Sequence, residues 1–176
     1  MAHLHFDTNM GRGFVEYGKE GITSVELPSK KAEIADDDSS AINEGRENAE
    51  KAVELLLSYY EGNNADFNSL ILAPGKGSDF FLKVCNIVKN IPYGKVMTYG
   101  EVARRAESPG ASRAVGRIMA TNPIPVIIPC HRVVASNGLL TGYSAEGGIE
   151  TKENLLKMEG VLFRKKGIVN IDKRGF

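Results

Sequence analysis

The first 27 residues alternate apolar and polar side chains in short runs. The alternation is clearest at residues 14–17 and 22–27, and Gly18 and Gly21 separate the two runs. Successive side chains of a strand point to opposite faces of a sheet, so alternation indicates strands with one buried face. Residues 3–27 therefore predict a β-hairpin or meander.

A helix is predicted after a polar stretch. Residues 30–43 are mostly charged or small, which predicts a loop. Apolar side chains then recur at helical spacing from about residue 43 to 61, and Gly62 is placed to end the helix. The apolar run 70–72 predicts one more strand. Together these elements predict an α/β N-terminal domain over residues 1–77, which closes with a Pro-Gly-Lys-Gly linker.

Helical patterns dominate the rest of the chain, which predicts a mostly α-helical second domain over residues 78–176. Ser78 can cap a helix whose apolar stripe includes Cys85 and which stops before Pro92. Cys85 is therefore predicted to fill the core. Further along, the pattern predicts a glycine-rich loop at 138–148, a helix at about 150–159 capped by Gly160, and a short strand at 168–171.

Two short helices lie between these elements, separated by a three-residue turn. Thr98 and Glu101 have the spacing of a capping box, which predicts a helix through about residue 106. Ser-Pro-Gly at 108–110 interrupts it, and residues 112–121 predict a second helix. Short helices across a tight turn indicate a helix-turn-helix. The second helix combines small residues with two arginines, which suits close approach to DNA: Ala111, Ser112, Arg113, Ala114, Gly116 and Arg117.

Composition and charge narrow the classes of function. The 176 residues are 42% apolar and 25% charged, as in soluble globular proteins, with room for one domain or two small ones. We find no apolar run of transmembrane length and no signal peptide, which predicts a cytosolic protein, or a nuclear one if the host has a nucleus. Residues 1–77 carry 7 Lys and Arg against 14 Asp and Glu, a net of −7, whereas residues 78–176 carry 15 against 8, a net of +7. The basic half predicts a polyanionic partner.

The strongest candidate for chemistry lies in residues 122–134, NPIPVIIPCHRVV. Its apolar run predicts a buried strand that ends at Pro129, which leaves Cys130 beside His131 and Arg132. A cysteine attacks as the thiolate, and a nearby imidazole or guanidinium favours that form. A buried free cysteine is more often a packing residue, so the residues alone leave both interpretations open.

The other cysteine and histidine residues predict no metal site. Cys85 and Cys130 are expected to be free thiols, because a disulfide does not persist in a reducing compartment. The three histidines and two cysteines lack the spacing of a zinc site, and His3 and His5 are expected in a strand. We predict no metal and no cofactor.

A family resemblance appears at the same residues. Pro129 to Val133, PCHRV, preceded by Asn122-Pro123 and followed by Gly142-Tyr143-Ser144, resembles the active-site signature of the O6-alkylguanine-DNA alkyltransferases. The resemblance extends from about residue 78 to 160. It implies a ribonuclease H-like α/β N-terminal domain and a winged helix-turn-helix-like C-terminal domain. It also implies direct reversal of O6-alkylguanine in double-stranded DNA, with O4-alkylthymine as a second candidate lesion, and an expected monomer.

The resemblance implies roles for residues around the signature. Cys130 would accept the alkyl group irreversibly, with His131 as a base acting through a water, Glu159 orienting His131, and Asn122 holding the turn. Tyr99 would donate a proton to the departing purine.

Other residues would bind the substrate by the same resemblance. Tyr143 and Ser144 would wall the base pocket, the Val133 carbonyl would accept from the exocyclic amine, and Arg113 would fill the gap left by the flipped nucleotide. The chain departs from many relatives by the extra Ala145-Glu146, which lengthens the loop beside the predicted pocket.

Two other classes of function compete with this one. A thiol hydrolase or redox protein would use the same Cys130-His131 pair, but leaves the helix pair and the charge distribution unexplained. A lesion-binding protein without transfer activity would lack the cysteine that is present here.

Overall fold

The computed structural model describes residues 1–30, 44–75, 77–145 and 147–171. Residues 31–43 of the loop predicted at 30–43, the linker residue Lys76 and the inserted Glu146 lie outside the described residues. Internal contacts divide the chain into two compact units, residues 1–76 with 123–127 and residues 77–122 with 128–176.

The first unit is built on a three-stranded antiparallel sheet. Its strands β1 (Ala2–Thr8), β2 (Gly11–Gly18) and β3 (Gly21–Ser29) lie in the order β1-β2-β3. The meander predicted by the alternation is present, and His3 and His5 lie in β1 as expected. Gly21 begins β3 with φ 134°, and a Cβ there would lie 2.5 Å from the Ile71 carbonyl oxygen, so only glycine fits.

One helix packs on this sheet. Helix α1 (Arg46–Tyr60) buries an apolar stripe that includes Leu56 and Tyr60, and the Tyr60 ring stacks on Phe6 of β1 with centroids 6.2 Å apart. The Gly62 N–H donates to the Tyr59 carbonyl with φ 90° at Gly62, so the predicted glycine ends the helix.

The strand predicted at 70–72 is wrong. This segment forms a single parallel bridge between Ile22 and Leu72, in which the Ile22 N–H donates to the Ile71 carbonyl at 3.0 Å. The Asn48 side chain donates to the Ile71 carbonyl and accepts from its N–H, both at 2.9 Å. The Ile71 carbonyl therefore binds both β3 and the Asn48 amide, whereas the Ile71 N–H is satisfied by a side chain and not by a further strand.

The strand predicted before Pro129 is also wrong. Residues 124–128 are buried but turn rather than extend, because Pro125 and Pro129 cannot donate to a sheet and Val126 adopts a left-handed φ of 70°. The Val25 N–H donates to the Pro123 carbonyl at 2.8 Å, within the first unit. The apolar run favours a strand by its hydrophobicity, but its two prolines prevent one.

The second unit is mostly helical, as predicted. Its helices are α2 (Asp79–Lys89), α3 (Tyr99–Arg105), α4 (Ser112–Ala120) and α5 (Gly148–Met158). The predicted caps are present: the Phe81 N–H donates to the Ser78 hydroxyl at 3.2 Å, and the Glu101 N–H donates to the Thr98 hydroxyl at 3.1 Å. Cys85 is buried on α2, as its position in the apolar stripe predicted.

Short strands complete the second unit. Strand β4 (Met97–Thr98) pairs in parallel with β5 (Val133–Val134), and β6 (Phe163–Lys165) pairs antiparallel with β7 (Ile168–Val169). Of these strands only β7 was predicted, as part of a longer run at 168–171. Strands β4, β5 and β6 have two or three residues and are too short to show alternation. A core cluster joins these strands to α5: Val134, Leu140, Leu156, Val161 and Val169. No helix in the described part of the chain is long and apolar enough to span a bilayer.

Candidate active site

A single 3₁₀ turn, Cys130–Arg132, carries the predicted nucleophile. It leads directly into β5, whose Val134 pairs with Thr98 of β4. Tyr99 follows Thr98 as the first residue of α3. The short parallel pair therefore brings the start of α3 beside the cysteine turn, which sequence spacing alone did not reveal.

Cys130 is 4% exposed, and its position is fixed by the backbone and by Asn122. The Cys130 N–H donates to the Ile128 carbonyl at 2.7 Å, and the Asn122 side-chain amide donates to the same carbonyl at 2.8 Å. Burial raises the pKa of the Cys130 thiol, while a hydrogen bond from Asn122 and the charge of Lys152 act in the opposite direction. Asn122 therefore holds the turn and contacts the sulfur.

His131 and Glu159 form a fully enclosed pair. The His131 Nε2 lies 2.7 Å from Glu159 Oε1, and both side chains are completely shielded from solvent. Burial lowers the pKa of His131 more than the neighbouring carboxylate raises it, so the ring is neutral at pH 7. With an ionised carboxylate as acceptor, Nε2 carries the proton, and Nδ1 is the basic nitrogen of the ring.

Glu159 also binds the guanidinium of Arg132. Arg132 Nε donates to Oε2 and Nη2 to Oε1, each at 2.9 Å, while Nη1 donates to the Ile91 carbonyl at 2.6 Å. Burial would raise the pKa of Glu159, but His131 and Arg132 outweigh it and hold the pKa at about 2. The interpretation that Arg132 activates the thiol is therefore wrong, because Glu159 occupies its guanidinium.

The turn before β4 is attached to the same carboxylate. The Gly94 N–H donates to Glu159 Oε2 at 3.2 Å, and the Tyr93 hydroxyl donates to the Met158 carbonyl at 3.1 Å. Gly94 has φ 73°, and a Cβ there would lie 2.9 Å from the Glu159 carbonyl oxygen. The end of α5 and the 93–94 turn are therefore closely fitted.

Lys152 is a buried charged residue that the sequence interpretation missed. It is 0% exposed, and its ammonium donates to the Val133 carbonyl at 2.6 Å and to the Thr141 carbonyl at 2.9 Å. Burial lowers its pKa to about 8, although a negative charge on Cys130 raises it. A sequence signal exists: Lys152 shares the helical face of Leu155, Leu156 and Glu159.

Aromatic side chains surround this ammonium. Its nitrogen lies 5.7 Å from the ring centroid of Tyr99 and 6.0 Å from that of Tyr143. The Tyr99 hydroxyl donates to the Thr141 carbonyl at 3.0 Å, and burial raises the pKa of this phenol. Ser144 is exposed, and its hydroxyl donates to the Ala120 carbonyl at the end of α4.

The structure thus brings together Cys130, His131, Asn122, Glu159, Tyr99, Tyr143 and Val133, of which Asn122, Tyr99 and Tyr143 are half-buried, whereas the predicted DNA-contact residues lie outside this cluster. Ala111 caps α4, and Arg113 and Arg117 extend from its exposed face, while Val115 and Met119 bury the opposite face. The described ranges contain no group of three or more His, Cys, Asp or Glu side chains that could bind a metal.

Known proteins are similar to this chain in sequence and in fold. The sequence model of the domain described as 6-O-methylguanine DNA methyltransferase, DNA binding domain, matches residues 79–161. A methylated-DNA–protein-cysteine methyltransferase from Methanosarcina acetivorans is 41% identical over 160 residues, which cover 91% of this chain and 99% of that protein. A protein of the same name from Salmonella typhimurium is 46% identical over 109 residues, 62% of each chain.

Solved structures agree with the sequence relatives. The crystal structure of Mycobacterium tuberculosis O6-methylguanine methyltransferase superposes with a TM-score of 0.69 at 32% identity, covering 90% of this chain and 92% of that one. The M. tuberculosis protein crystallised in complex with DNA gives a TM-score of 0.70 at 32% identity over the same shares of the chains. Fold and cysteine site define a DNA-alkylation repair protein. The chain belongs to the methylated-DNA–protein-cysteine methyltransferase family.

Proposed function

We propose that this protein repairs O6-alkylguanine in double-stranded DNA by transferring the alkyl group to Cys130. Family membership supports the reaction, and one observation carries the assignment of the site. Cys130 lies in a buried turn with Asn122 at its sulfur and with a neutral His131 held by Glu159 at 2.7 Å. A thiol, an imidazole and an orienting carboxylate follow the logic of a catalytic triad with sulfur as the nucleophile.

The reaction has one bond-forming and one bond-breaking event. His131 Nδ1 takes the Cys130 proton through a water, and the thiolate attacks the alkyl carbon. A carbon–sulfur bond forms, the bond from that carbon to guanine O6 breaks, and the purine leaves with the bonding electrons. Tyr99 donates a proton to the departing ring, and its hydroxyl already acts as a donor to Thr141.

The base pocket is assigned to residues around the same turn. Tyr143 and Ser144 wall it, and the Val133 carbonyl accepts from the exocyclic amine. That carbonyl already accepts from Lys152, but an sp² oxygen has two lone pairs and retains acceptor capacity. Because Cys130 is only 4% exposed, base entry requires neighbouring side chains to give way.

The product ends the activity of the molecule. A thioether is a poor leaving group in water, so each protein repairs one lesion and is consumed. No cofactor takes part in this scheme, because the alkyl group moves directly from purine to sulfur. O4-alkylthymine stays a second candidate lesion, and the protein works in the compartment that holds the DNA, as a monomer.

DNA approaches through the helix pair. Helices α3 and α4 pack together across the 106–111 turn, which supports a helix-turn-helix with α4 facing DNA. Arg113, with its small neighbours Ala111, Ser112, Ala114 and Gly116, enters the duplex where the nucleotide is flipped, and Arg117 binds backbone phosphate.

The finer fold assignments are part of the same proposal. We assign residues 78–176 to a winged helix-turn-helix-like domain, and residues 1–77 to an N-terminal domain related to ribonuclease H. The antiparallel sheet with one helix on it supports the second assignment.

The direct test follows the mass of the protein. Incubation with duplex DNA containing O6-methylguanine is expected to add one methyl group to the peptide that contains Cys130, with a stoichiometry of one. Cys85→Ser is the matched control and is expected to react like the wild type, because Cys85 fills the core of α2.

Cys130→Ser is expected to bind the duplex without gaining the methyl group. Methylation of Cys85 in place of Cys130 would refute the site assignment. Turnover of a peptide or ester substrate without alkyl transfer would favour a thiol hydrolase.

A further inference from the structure

The β6–β7 hairpin carries a run of positive charge that the proposed function does not use. Arg164 and Lys165 end β6, Lys166 begins the turn to β7, and all three side chains are exposed. None of the ion pairs between described residues includes any of the three. They are also the only charged residues in the segments 133–145 and 160–171. Positive charge that no carboxylate compensates attracts anions to a surface.

The hairpin is fixed to the rest of the second unit by its backbone and by its core. The Leu140 N–H donates to the Gly167 carbonyl at 2.9 Å, and the Val169 N–H donates to the Gly138 carbonyl at 3.0 Å. Val169 is fully buried in the same core cluster as Leu140. The three cations therefore stand on an ordered part of the fold, so little backbone freedom is lost when they bind a partner.

The groups on this hairpin suit phosphate oxygens. The Arg164 Nη2 donates to the Asn137 carbonyl at 2.6 Å. A guanidinium has five N–H donors, so this contact leaves others that can bind a phosphate, and an ammonium binds phosphate as a point charge. Lys157, shortly before the hairpin, does not add to the positive run, because its ammonium pairs with Glu153 at 2.7 Å.

The hairpin and α4 contact the two ends of one loop. Residues 137–144 run from the hairpin contacts to Ser144, whose hydroxyl donates to the Ala120 carbonyl at the end of α4. The Tyr99 hydroxyl binds the Thr141 carbonyl within that loop at 3.0 Å. The proposed base pocket lies along the same loop. A duplex whose extruded base enters this pocket therefore meets α4 at one end of the loop and the hairpin at the other.

We propose that the β6–β7 hairpin is a second DNA-binding element, in which Arg164, Lys165 and Lys166 bind backbone phosphates beside the extruded nucleotide. Extrusion costs stacking and pairing energy, and contacts at both ends of the pocket loop hold the backbone while that energy is spent. Contacts to phosphate position a duplex without reading its sequence, so the hairpin adds affinity for any duplex. The inference rests on the proposed function, because it takes duplex DNA as the substrate.

The test removes both lysines of the hairpin and measures duplex affinity by fluorescence anisotropy with unmodified DNA. Lys165→Ala combined with Lys166→Ala is expected to weaken binding by about tenfold or more at about 50 mM salt. The slope of log affinity against log salt is expected to become shallower by about two, because each lost phosphate contact releases roughly one counterion less. Duplexes of different sequence are expected to lose the same affinity. Transfer from free O6-benzylguanine to Cys130 is expected to be unchanged, because that substrate has no phosphate.

The matched control removes two positive charges from the acidic half of the chain. Lys19→Ala combined with Lys51→Ala changes exposed lysines of the first unit and is expected to have a small effect on affinity and on the salt slope. A hairpin variant that keeps the affinity and the salt slope of the wild type would overturn the proposal. So would a control variant that loses as much of both as the hairpin variant.

A second measurement uses the wild-type protein and needs no variant to fold. Acetylation of Lys165 and Lys166 by an amine-reactive reagent, followed by mass spectrometry, is expected to slow when unmodified duplex is bound, whereas Lys51 reacts at the same rate. Equal reactivity of the hairpin lysines with and without duplex would refute the contact. Absence of the alkyl group from wild-type Cys130 would instead refute the proposed function, whatever the lysines show, so the two failures are distinguishable.

Discussion

At the scale of single residues, Glu159 does more than orient His131, because its carboxylate also binds other parts of the site. Its carboxylate accepts from His131, from Arg132 and from the Gly94 N–H. His131 and Arg132 belong to the cysteine turn, and Gly94 belongs to the turn before β4. The carboxylate therefore joins the cysteine turn, the turn before β4 and the end of α5, and its ionised state stabilises the fold.

This arrangement predicts a loss of stability in acid. Folding lowers the pKa of Glu159 from 4.5 to about 2. The stabilisation is therefore present above pH 4.5 and is lost as the pH falls towards 2. The shift corresponds to about 3 kcal/mol in the free energy of unfolding. Glu159→Gln is expected to be less stable at pH 7 by an amount of this order, with a flatter profile between pH 4.5 and 2 in denaturant titrations.

Glu150→Gln, an exposed change in the first turn of α5, is the control and is expected to match the wild type at both pH values. If Glu159→Gln lost stability in acid as steeply as the wild type, Glu159 would not be the group responsible.

Sequence reasoning identified most of the residues in this cluster but not its charges. The PCHR signature gave Cys130 and His131, and family spacing gave Glu159. Lys152 shares a helical face with Leu155 and Leu156, which was visible, but the carbonyls of Val133 and Thr141 that bind it lie in distant parts of the chain. Which lysine is buried beside the thiol depends on those tertiary contacts.

At the scale of elements, α4 separates two tasks by its two faces. Val115 and Met119 anchor the helix, and Arg113 and Arg117 leave it on the exposed face. The small residues between the arginines have short side chains, so the helix backbone can approach DNA closely.

The predicted task of Arg113 can be isolated by comparing two substrates. Arg113→Ala is expected to slow repair in duplex DNA by tenfold or more, because the flipped state loses the side chain that fills its gap. Transfer from free O6-benzylguanine, which needs no flipping, is expected to be unchanged. Single-turnover rates with each substrate measure the difference.

Arg104→Ala removes the same charge from the exposed surface of α3 and serves as the matched control, with a small effect on the duplex reaction. Equal losses of Arg113→Ala on both substrates would contradict a role in flipping.

Elements whose sequence signals lie within a few neighbouring residues were predicted. Elements that form only by pairing with distant segments of the chain were not. The caps at Ser78 and Thr98 and the stop at Gly62 are encoded within a few residues, and all three are present. The two-residue strands β4 and β5 exist because distant segments pair. The strand prediction for residues 124–128 is wrong for a different reason. The hydrophobicity of this segment favours a strand, but its two prolines do not allow one.

At the scale of the whole molecule, the two halves of the sequence differ sharply in charge. Residues 1–77 carry a net charge of −7 and residues 78–176 carry +7. A chain that is neutral overall can therefore still attract a polyanion to its C-terminal half.

Salt is expected to separate this attraction from the chemistry. Raising the salt concentration from about 50 to 200 mM should weaken duplex binding by about tenfold or more, because every phosphate contact releases counterions. Fluorescence anisotropy with labelled duplex measures the affinity. The rate with free O6-benzylguanine is expected to stay constant, and a duplex affinity independent of salt would contradict binding through the basic half.

The close fit of Gly94 against Glu159 extends the demands of the site beyond the signature around Cys130. Any side chain at position 94 would press on the backbone of the carboxylate residue, 65 positions later in the chain. A substitution at this turn is therefore expected to disturb the position of Glu159 while leaving every signature residue intact.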